Sequence, residues 1–145
     1  MRRELETIDP ILRTYASDVI GMPDEDIAKI TLEEEREYKN AMQNMAKYRL
    51  VAEVTKSQYC YSAVKVGQKI VFDGLLIDAE ASDCPLCLGA LGPLLRNMLV
   101  YYDRCLTNGD FEAPLSPVSC IDPGLDAGET ALGNVVFNVR IEPRS

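Results

Sequence analysis

The sequence predicts an α+β fold in which an N-terminal helical arm precedes a small, mostly antiparallel sheet packed against one central helix. Three observations predict it: helical apolar spacing up to about residue 48, alternating apolar and polar residues from Leu50 onward, and a long apolar stretch from Asp83 to Leu106 that returns to spacings of three and four. With 145 residues, 47% of them hydrophobic, the chain can bury a sizeable core. We therefore expect a helical docking arm over residues 1–48 and a cysteine-containing α+β domain over residues 49–145.

The arm is predicted to begin with a helix after Asp9 and Pro10, which are typical of an N-cap and a first helical position. This helix is expected to end at Gly21, a residue type that commonly ends helices. Its predicted apolar face consists of Ile11, Leu12, Tyr15, Val19 and Ile20. A short helical piece is expected over residues 25–29.

A longer second helix is predicted from Leu32 to about Arg49, because Thr31 and Glu34 form the pattern of a capping box. Glu35 and Lys39 are spaced to pair on its surface. The apolar stripe of this helix is narrow and contains little Leu or Val, which fits packing on a partner as well as docking on the chain's own domain. The stripe consists of Tyr38, Ala41, Met42, Met45 and Ala46.

The remainder of the chain is predicted to form the sheet and its covering helix. We expect strands at 50–56, 65–74, 75–80 and 134–143, a short edge-like strand at 117–124 that carries Cys120, and loops at 107–117 and 125–133. Because Gly92 and Pro93 interrupt the apolar stretch, we expect a turn before Pro93 and the central helix from Pro93 to about Cys105. The predicted core stripe of that helix is Leu91, Leu94, Leu95, Met98, Leu99, Tyr102 and Leu106.

Charge and composition argue against several classes of function. The net charge of −8, with 23 acidic against 15 basic residues, repels phosphate backbones, so no nucleic-acid partner is expected. The chain contains no histidine, which excludes a His-based triad, a His general base and a His metal ligand. It has no apolar stretch long enough to span a membrane and no apolar signal region after its first residues. We therefore expect a cytoplasmic protein without a membrane partner, in which thiols stay reduced.

Four of the five cysteines form the candidate site. Cys84 and Cys87 have Cys-x-x-Cys spacing, and Cys60 and Cys120 lie near predicted strand ends. If the four thiolates converge tetrahedrally, they would make a structural zinc site, although zinc ribbons usually have two close pairs and this chain has one. The alternative is that these cysteines are small buried core residues.

Catalysis by these cysteines has weaker support in the pattern. A redox pair would use a thiolate at a helix N-terminus, but Asp83 next to Cys84 raises a thiol pKa and no βαβ pattern leads into the motif. A cysteine nucleophile would need a carboxylate or lysine base, and the sequence pairs none with it. Residues 89–93 lack the Lys-Ser/Thr of a phosphate-binding loop, so we expect no ATP site in this chain. We assign it no catalytic and no cofactor-binding residue.

Residues 51–143 contain a series of short motifs: Cys60, Val66 to Asp73, Cys84-Pro85 with Gly89-Ala90-Leu91, Cys120 to Pro123, and Val135 to Phe137. In these motifs and their order, the segment resembles a family of small uncharacterised cysteine-containing prokaryotic domains. The chain departs from the family pattern at two points. It has Tyr61-Ser62 where the family has a histidine after the first cysteine, and it has the additional Cys87.

In its size, acidity and helical N-terminal arm, the whole chain also looks like the small gamma-type subunit of acetophenone-carboxylase-like ATP-dependent carboxylases. The resemblance implies an accessory, non-catalytic subunit of a hetero-oligomeric ligase complex that carboxylates an aromatic ketone. ATP and bicarbonate would be bound by larger partner subunits, on which the N-terminal helices would dock. Two alternatives stay open: a stand-alone structural zinc- or thiol-binding module, and a small Cys-x-x-Cys redox protein.

Overall fold

The computed structural model describes residues 1–128 and 130–144, and it confirms the α+β class. Glu129, in a predicted loop, and Ser145 lie outside the described residues. The helices are α1 (Pro10–Thr14), α2 (Asp24–Ile27), α3 (Leu32–Lys47) and α4 (Leu88–Thr107). The strands are β1 (Tyr48–Gln58), β2 (Lys69–Asp73), β3 (Leu76–Ile77), β4 (Val118–Ser119) and β5 (Asn134–Pro143).

The five strands form one antiparallel sheet in the order β3-β2-β1-β5-β4. Its centre is the long pair of β1 and β5, in which Tyr48 lies opposite Pro143 and Gln58 lies opposite Asn134. One face packs against α4 and forms the main core, which includes Leu50, Ala52, Val54, Phe72, Phe137 and Val139. The alternation of apolar residues along both central strands produces this buried face.

The opposite face of the sheet carries an ion-pair network across β1, β5 and β2. Glu142 lies 2.7 Å from Arg49 and 3.0 Å from Arg140, while Glu53 lies 3.5 Å from both Arg140 and Lys69. Opposite charges on neighbouring strands stabilise the register because they meet directly across the sheet. This face is therefore polar, although Val51 and Val71 are buried within the sheet.

The predicted start of the central helix is wrong, since α4 begins at Leu88 and contains Pro93. A proline inside a helix leaves the carbonyl four residues earlier without its usual donor. Here that carbonyl belongs to Gly89, and it accepts a hydrogen bond from the backbone N–H of Ile121 at 2.9 Å. The loop after β4 thus supplies the donor that Pro93 lacks.

The predicted core stripe of α4 is also only partly right. The helix buries the set Ala90, Leu94, Asn97, Tyr101 and Cys105. Leu95 and Leu99, which were expected in the core, are exposed. Two polar members of the buried set have partners: the Tyr101 hydroxyl donates to the Tyr48 carbonyl at 3.0 Å, and the Asn97 amide donates to the Ser116 carbonyl at 2.9 Å. These bonds permit polar groups in the core, which the apolar spacing could not anticipate.

In the arm, the caps were predicted correctly and the apolar face was not. Asp9 accepts from the N–H groups of Ile11 and Leu12, and Gly21 ends the helical segment with a φ of 78°. Of the predicted face only Leu12 is buried. The arm instead forms a small core of its own from Ile8, Ala16 and Ile27, with Leu5, Met22 and Ile30 packed against it.

Helix α3 has the predicted capping box, and it packs against α4. Asn40 and Asn44 donate to the carbonyls of Leu106 and Cys105 at 3.0 and 2.9 Å, which satisfies acceptors near the end of α4. The expected pair of Glu35 and Lys39 does not form.

These two residues of α3 pair instead with residues 1–30, the part before α3, which we call the arm of the structure. Glu35 contacts Arg3, and Lys39 lies 3.1 Å from Asp9. Two ion pairs therefore link the first residues of the arm to α3.

Among residues 1–128 and 130–144, no helix combines the length and the apolar character that crossing a bilayer requires.

Candidate functional site: a cysteine-lined cavity

Three cysteines line one cavity of about 190 Å³ at the N-terminal end of α4. Cys60 comes from the loop after β1, Cys87 from the residue before α4, and Cys120 from the residue after β4. Cys84 is buried in the core against which Cys60, Cys87 and Cys120 pack. The structure therefore gathers the four predicted site residues in one region, and Cys105 lies apart, on the buried face of α4 near its C-terminal end.

The loop that carries Cys60 is held by a close approach between two backbone segments. Tyr59 has a φ of 50°, in the left-handed region, and its carbonyl oxygen lies against Gly133. A Cβ atom at residue 133 would be 2.2 Å from that oxygen, so only glycine fits there. Gly133 was expected in a loop, and no local sequence signal predicts this contact.

Two groups of Cys120, its backbone N–H and its Sγ, form hydrogen bonds with β5. Its backbone N–H donates to the Val135 carbonyl at 2.9 Å, and its Sγ accepts from the Val135 N–H at 3.3 Å. The next turn is held by Asp122, whose carboxylate accepts from the N–H groups of Gly124, Leu132 and Gly133. These bonds, the one from Gly124 first, lower the pKa of Asp122. Asp122 therefore orders the loop that follows Cys120.

Cys84 and Cys87 have opposite environments. Burial, followed by the charge of Asp83, raises the pKa of Cys84 to about 11. Cys87 is the N-cap residue of α4, and the neighbouring Ser62 side chain lowers its pKa, with help from the N–H groups of Gly89 and Ala90. The thiol at the helix N-terminus is therefore the second of the motif, and it is the one that more readily forms a thiolate.

Asp83 has a structural role beside its effect on Cys84. Its carboxylate accepts from the Lys69 N–H at 2.6 Å, and its own N–H donates to the Lys69 carbonyl at 3.1 Å. The Cys84 N–H donates to the same carbonyl at 3.2 Å. These bonds attach the Cys-x-x-Cys segment to the start of β2.

The four cysteines do not form a closed tetrahedral metal site. In the part of the chain that the structure describes, no three His, Cys, Asp or Glu side chains are arranged to hold a metal ion. Zinc binding by Cys60, Cys84, Cys87 and Cys120 would require the loops that carry them to bring the thiolates closer together. It stays a prediction.

Two large exposed side chains, Tyr61 and Ile121, line the cavity. Tyr59, Leu88 and Leu132 are also exposed, and each is next to a lining residue in the sequence. The sequence pattern does not indicate this exposure. Ile121 lies over Gly89, and it lines the cavity together with Tyr61. Thiols in an apolar rim can react with electrophiles or bind soft metal ions.

Comparison of the chain with protein-family models, curated proteins and solved structures finds no match.

Proposed function

We propose that this chain is an accessory subunit of a multi-subunit ATP-dependent carboxylase of the acetophenone carboxylase type, with a structural role in assembly. The resemblance in size, acidity and arm supplies the type of complex. In this proposal ATP and bicarbonate bind to larger subunits, and the present chain attaches to them through its N-terminal helices.

The observation that supports the docking role is the uncovered apolar face of the arm. Ile11, Val19 and Ile20 are exposed on the segment that was expected to bury them, while the arm's own small core uses other residues. Several large apolar groups left on one segment favour contact with another protein. If a larger subunit covers this face, burial of these side chains would stabilise the complex by about 1.5–3 kcal/mol for each fully buried side chain.

The test uses the chain expressed with a tag from its own locus and purified under native conditions. We expect native mass spectrometry to find it in a complex with a large ATP-binding chain and a carboxylase-like chain. The complex is expected to carboxylate acetophenone with ATP and bicarbonate. A monomer without such chains, or a complex with no such activity, would overturn the proposal.

Two variants separate docking through the arm from general damage. Val19→Asp places a charge on the arm face, where Val19 is 67% exposed, and Val66→Asp makes the same change at a loop residue that is 63% exposed. We expect the first to reduce recovery of the large chains at least tenfold and the second to leave it unchanged. Equal recovery with both variants would exclude the arm as the docking element.

The cysteine cavity supports a second candidate, a structural zinc- or thiol-binding module. The supporting observation is the convergence of Cys60, Cys87 and Cys120 on one cavity beside Cys84. Metal analysis of protein purified without chelator tests zinc binding. One zinc per chain that is lost in the Cys120→Ser variant would support it, whereas substoichiometric metal would leave the cysteines as core and rim residues.

A further inference from the structure

A second apolar surface lies between the arm and the domain. It is an open groove of about 820 Å³ in which the arm forms one wall, α3 the floor and the turn from β2 to β3 the other wall. We call it the arm groove and define it by Tyr15, Ile20, Tyr38, Met42, Met45 and Leu76. We propose that the arm groove receives a basic amphipathic helix of a partner chain. The inference rests on the proposed function in one respect: the partner would be a larger subunit of the complex.

The arm groove explains the narrow apolar stripe of α3. Ala41 is buried, whereas Tyr38, Met42 and Met45 from the same stripe are partly exposed and line the groove. Leu76 on the opposite wall is 75% exposed. These side chains are apolar, and they face a space that no other part of residues 1–128 or 130–144 fills. Burying them requires an additional chain segment.

The shape and chemistry of the groove fit a helix as the occupant. Methionine side chains are flexible and polarisable, so Met42 and Met45 can adapt to the ridged surface of an inserted helix. Two aromatic residues, Tyr15 on the arm wall and Tyr38 on the floor, offer large rigid contact areas. An open groove lined in this way is the usual receptor for the apolar face of an amphipathic helix.

The charges around the groove indicate the sign of the charge that its occupant carries. Asp26, Glu34 and Asp73 line it, and Lys29 is the only base among its lining residues. Asp26 pairs with Lys29 and Asp73 pairs with Arg144, so among the described lining residues Glu34 carries the negative charge that no base balances. The whole chain has a net charge of −8, so its long-range field also attracts cations. A helix with Lys or Arg beside its apolar face is therefore favoured over an acidic helix.

The direct test uses a synthetic helical peptide of about 18 residues, built from Leu at positions i, i+3, i+4 and i+7 and Lys elsewhere. Fluorescence anisotropy with the full chain measures its dissociation constant. We expect saturable binding that weakens at least tenfold when Glu replaces every Lys. Leu76→Asp is expected to weaken binding at least tenfold, and Leu125→Asp, at a residue that is 57% exposed in a distant turn, is expected to have no effect.

Equal affinity for the Lys and Glu peptides, or unchanged binding by Leu76→Asp, would overturn the inference. Because both variants alter exposed side chains, their folding can be checked by circular dichroism. Sedimentation of the free chain tests a second copy as the occupant. A dimer that Leu76→Asp dissociates would overturn the proposed partner helix.

The outcome is distinguishable from failure of the proposed function. Peptide binding in the groove without co-purifying carboxylase subunits would reject the function and retain the groove. A carboxylase complex that forms normally with Leu76→Asp would retain the function and reject the groove as its docking site.

Discussion

The backbone N–H of Ile121 donates to the carbonyl oxygen of Gly89 at 2.9 Å, and the side chain of Ile121 lies over the same glycine. The helix leaves this carbonyl free because Pro93 has no N–H. One proline thus couples the start of α4 to the loop that carries Cys120. The position of Cys120, which lines one cavity with Cys87, therefore depends on the missing N–H of Pro93 in α4.

Gly89→Ala tests this coupling. A Cβ atom at residue 89 would lie 3.0 Å from Cγ1 of Ile121, so the substitution pushes the loop away from the helix. We expect the free energy of unfolding, measured in urea, to fall by about 1 kcal/mol. Gly92→Ala is the control, because a Cβ there meets nothing within 4 Å, and it should raise stability by up to about 1 kcal/mol. If both substitutions stabilise the protein, the contact between Gly89 and Ile121 does not contribute to its stability.

Gly133→Ala should destabilise the protein more than Gly89→Ala does. The added Cβ would be 2.2 Å from the Tyr59 carbonyl oxygen, and neither backbone segment has a flexible side chain that could yield. We expect a loss of about 3 kcal/mol or more in urea unfolding, together with faster alkylation of Cys60 as its loop opens. Gly128→Ala serves as the control, since nothing lies within 4 Å of its added Cβ. Similar unfolding midpoints for the two variants would contradict the close approach.

The two thiols of the Cys-x-x-Cys motif should react at different rates. The pKa of Cys87 is lowered by Ser62 and that of Cys84 is raised to about 11, so at pH 7 iodoacetamide should modify Cys87 first. The rate at Cys84 should keep rising as pH approaches 11, because only the thiolate reacts. Mass spectrometry of peptides after timed labelling measures both rates.

Ser62→Ala provides the matched test of the effect of the Ser62 side chain on the pKa of Cys87. It should slow alkylation of Cys87 at pH 7 and leave the rate at Cys120 unchanged, since Ser62 is the largest cause of the lowered Cys87 pKa. Faster modification of Cys84 than of Cys87 in the unsubstituted chain would contradict the assignment.

The stability of the arm should decrease in acid because of Asp9. Its pKa is lowered by the Leu12 N–H and then by Lys39, so the folded arm favours the carboxylate. The stabilisation is complete above the ordinary Asp pKa of about 3.9, and it is lost as pH falls through the lower folded value. At pH 7, Asp9→Ala should cost the arm about 1 kcal/mol, while Asp9→Asn should retain most of the cap and lose the pair with Lys39.

Hydrogen exchange of the amides between Ile11 and Ala16 measures this effect on the arm alone. The difference between Asp9→Ala and the unsubstituted chain should shrink as pH is lowered below 4, where the carboxylate becomes protonated. Glu25→Gln, at an exposed residue of the same arm, is the control. A difference that persists at low pH would show that Asp9 does not act through its charge.

Local signals were sufficient to predict most of the fold. The Asp9 and Thr31 caps, the change to alternation at Leu50 and the last strand at residues 134–143 were all readable, because each depends on neighbours in sequence. Pro93 was misread as a helix start, since the donor that compensates for it, Ile121, is distant in the chain. The arm's apolar face was misassigned because spacing shows which residues share a face and not whether the chain covers that face.

The sequence predicted which residues form the candidate site, and it did not predict how acidic their thiols are. Spacing and strand ends identified Cys60, Cys84, Cys87 and Cys120, and three of them line one cavity. Their different acidities depend on burial and on Ser62, a contact between separate loops that the sequence does not reveal. The groove between the arm and the domain likewise depends on how α3 sits against α4 through Asn40 and Asn44.

The pairing of β1 with β5 at the centre of the sheet has a consequence for how the protein reaches its native state. Every element from β2 to β4 lies between these strands in the chain, so the middle of the sheet closes only after β5 has been synthesised. The small core of the arm, in contrast, is formed entirely within residues 5–30. We therefore expect the helical arm and the β1–β2 pair to form early and the loops that hold the cysteines to be ordered last, when long-range pairing completes the core.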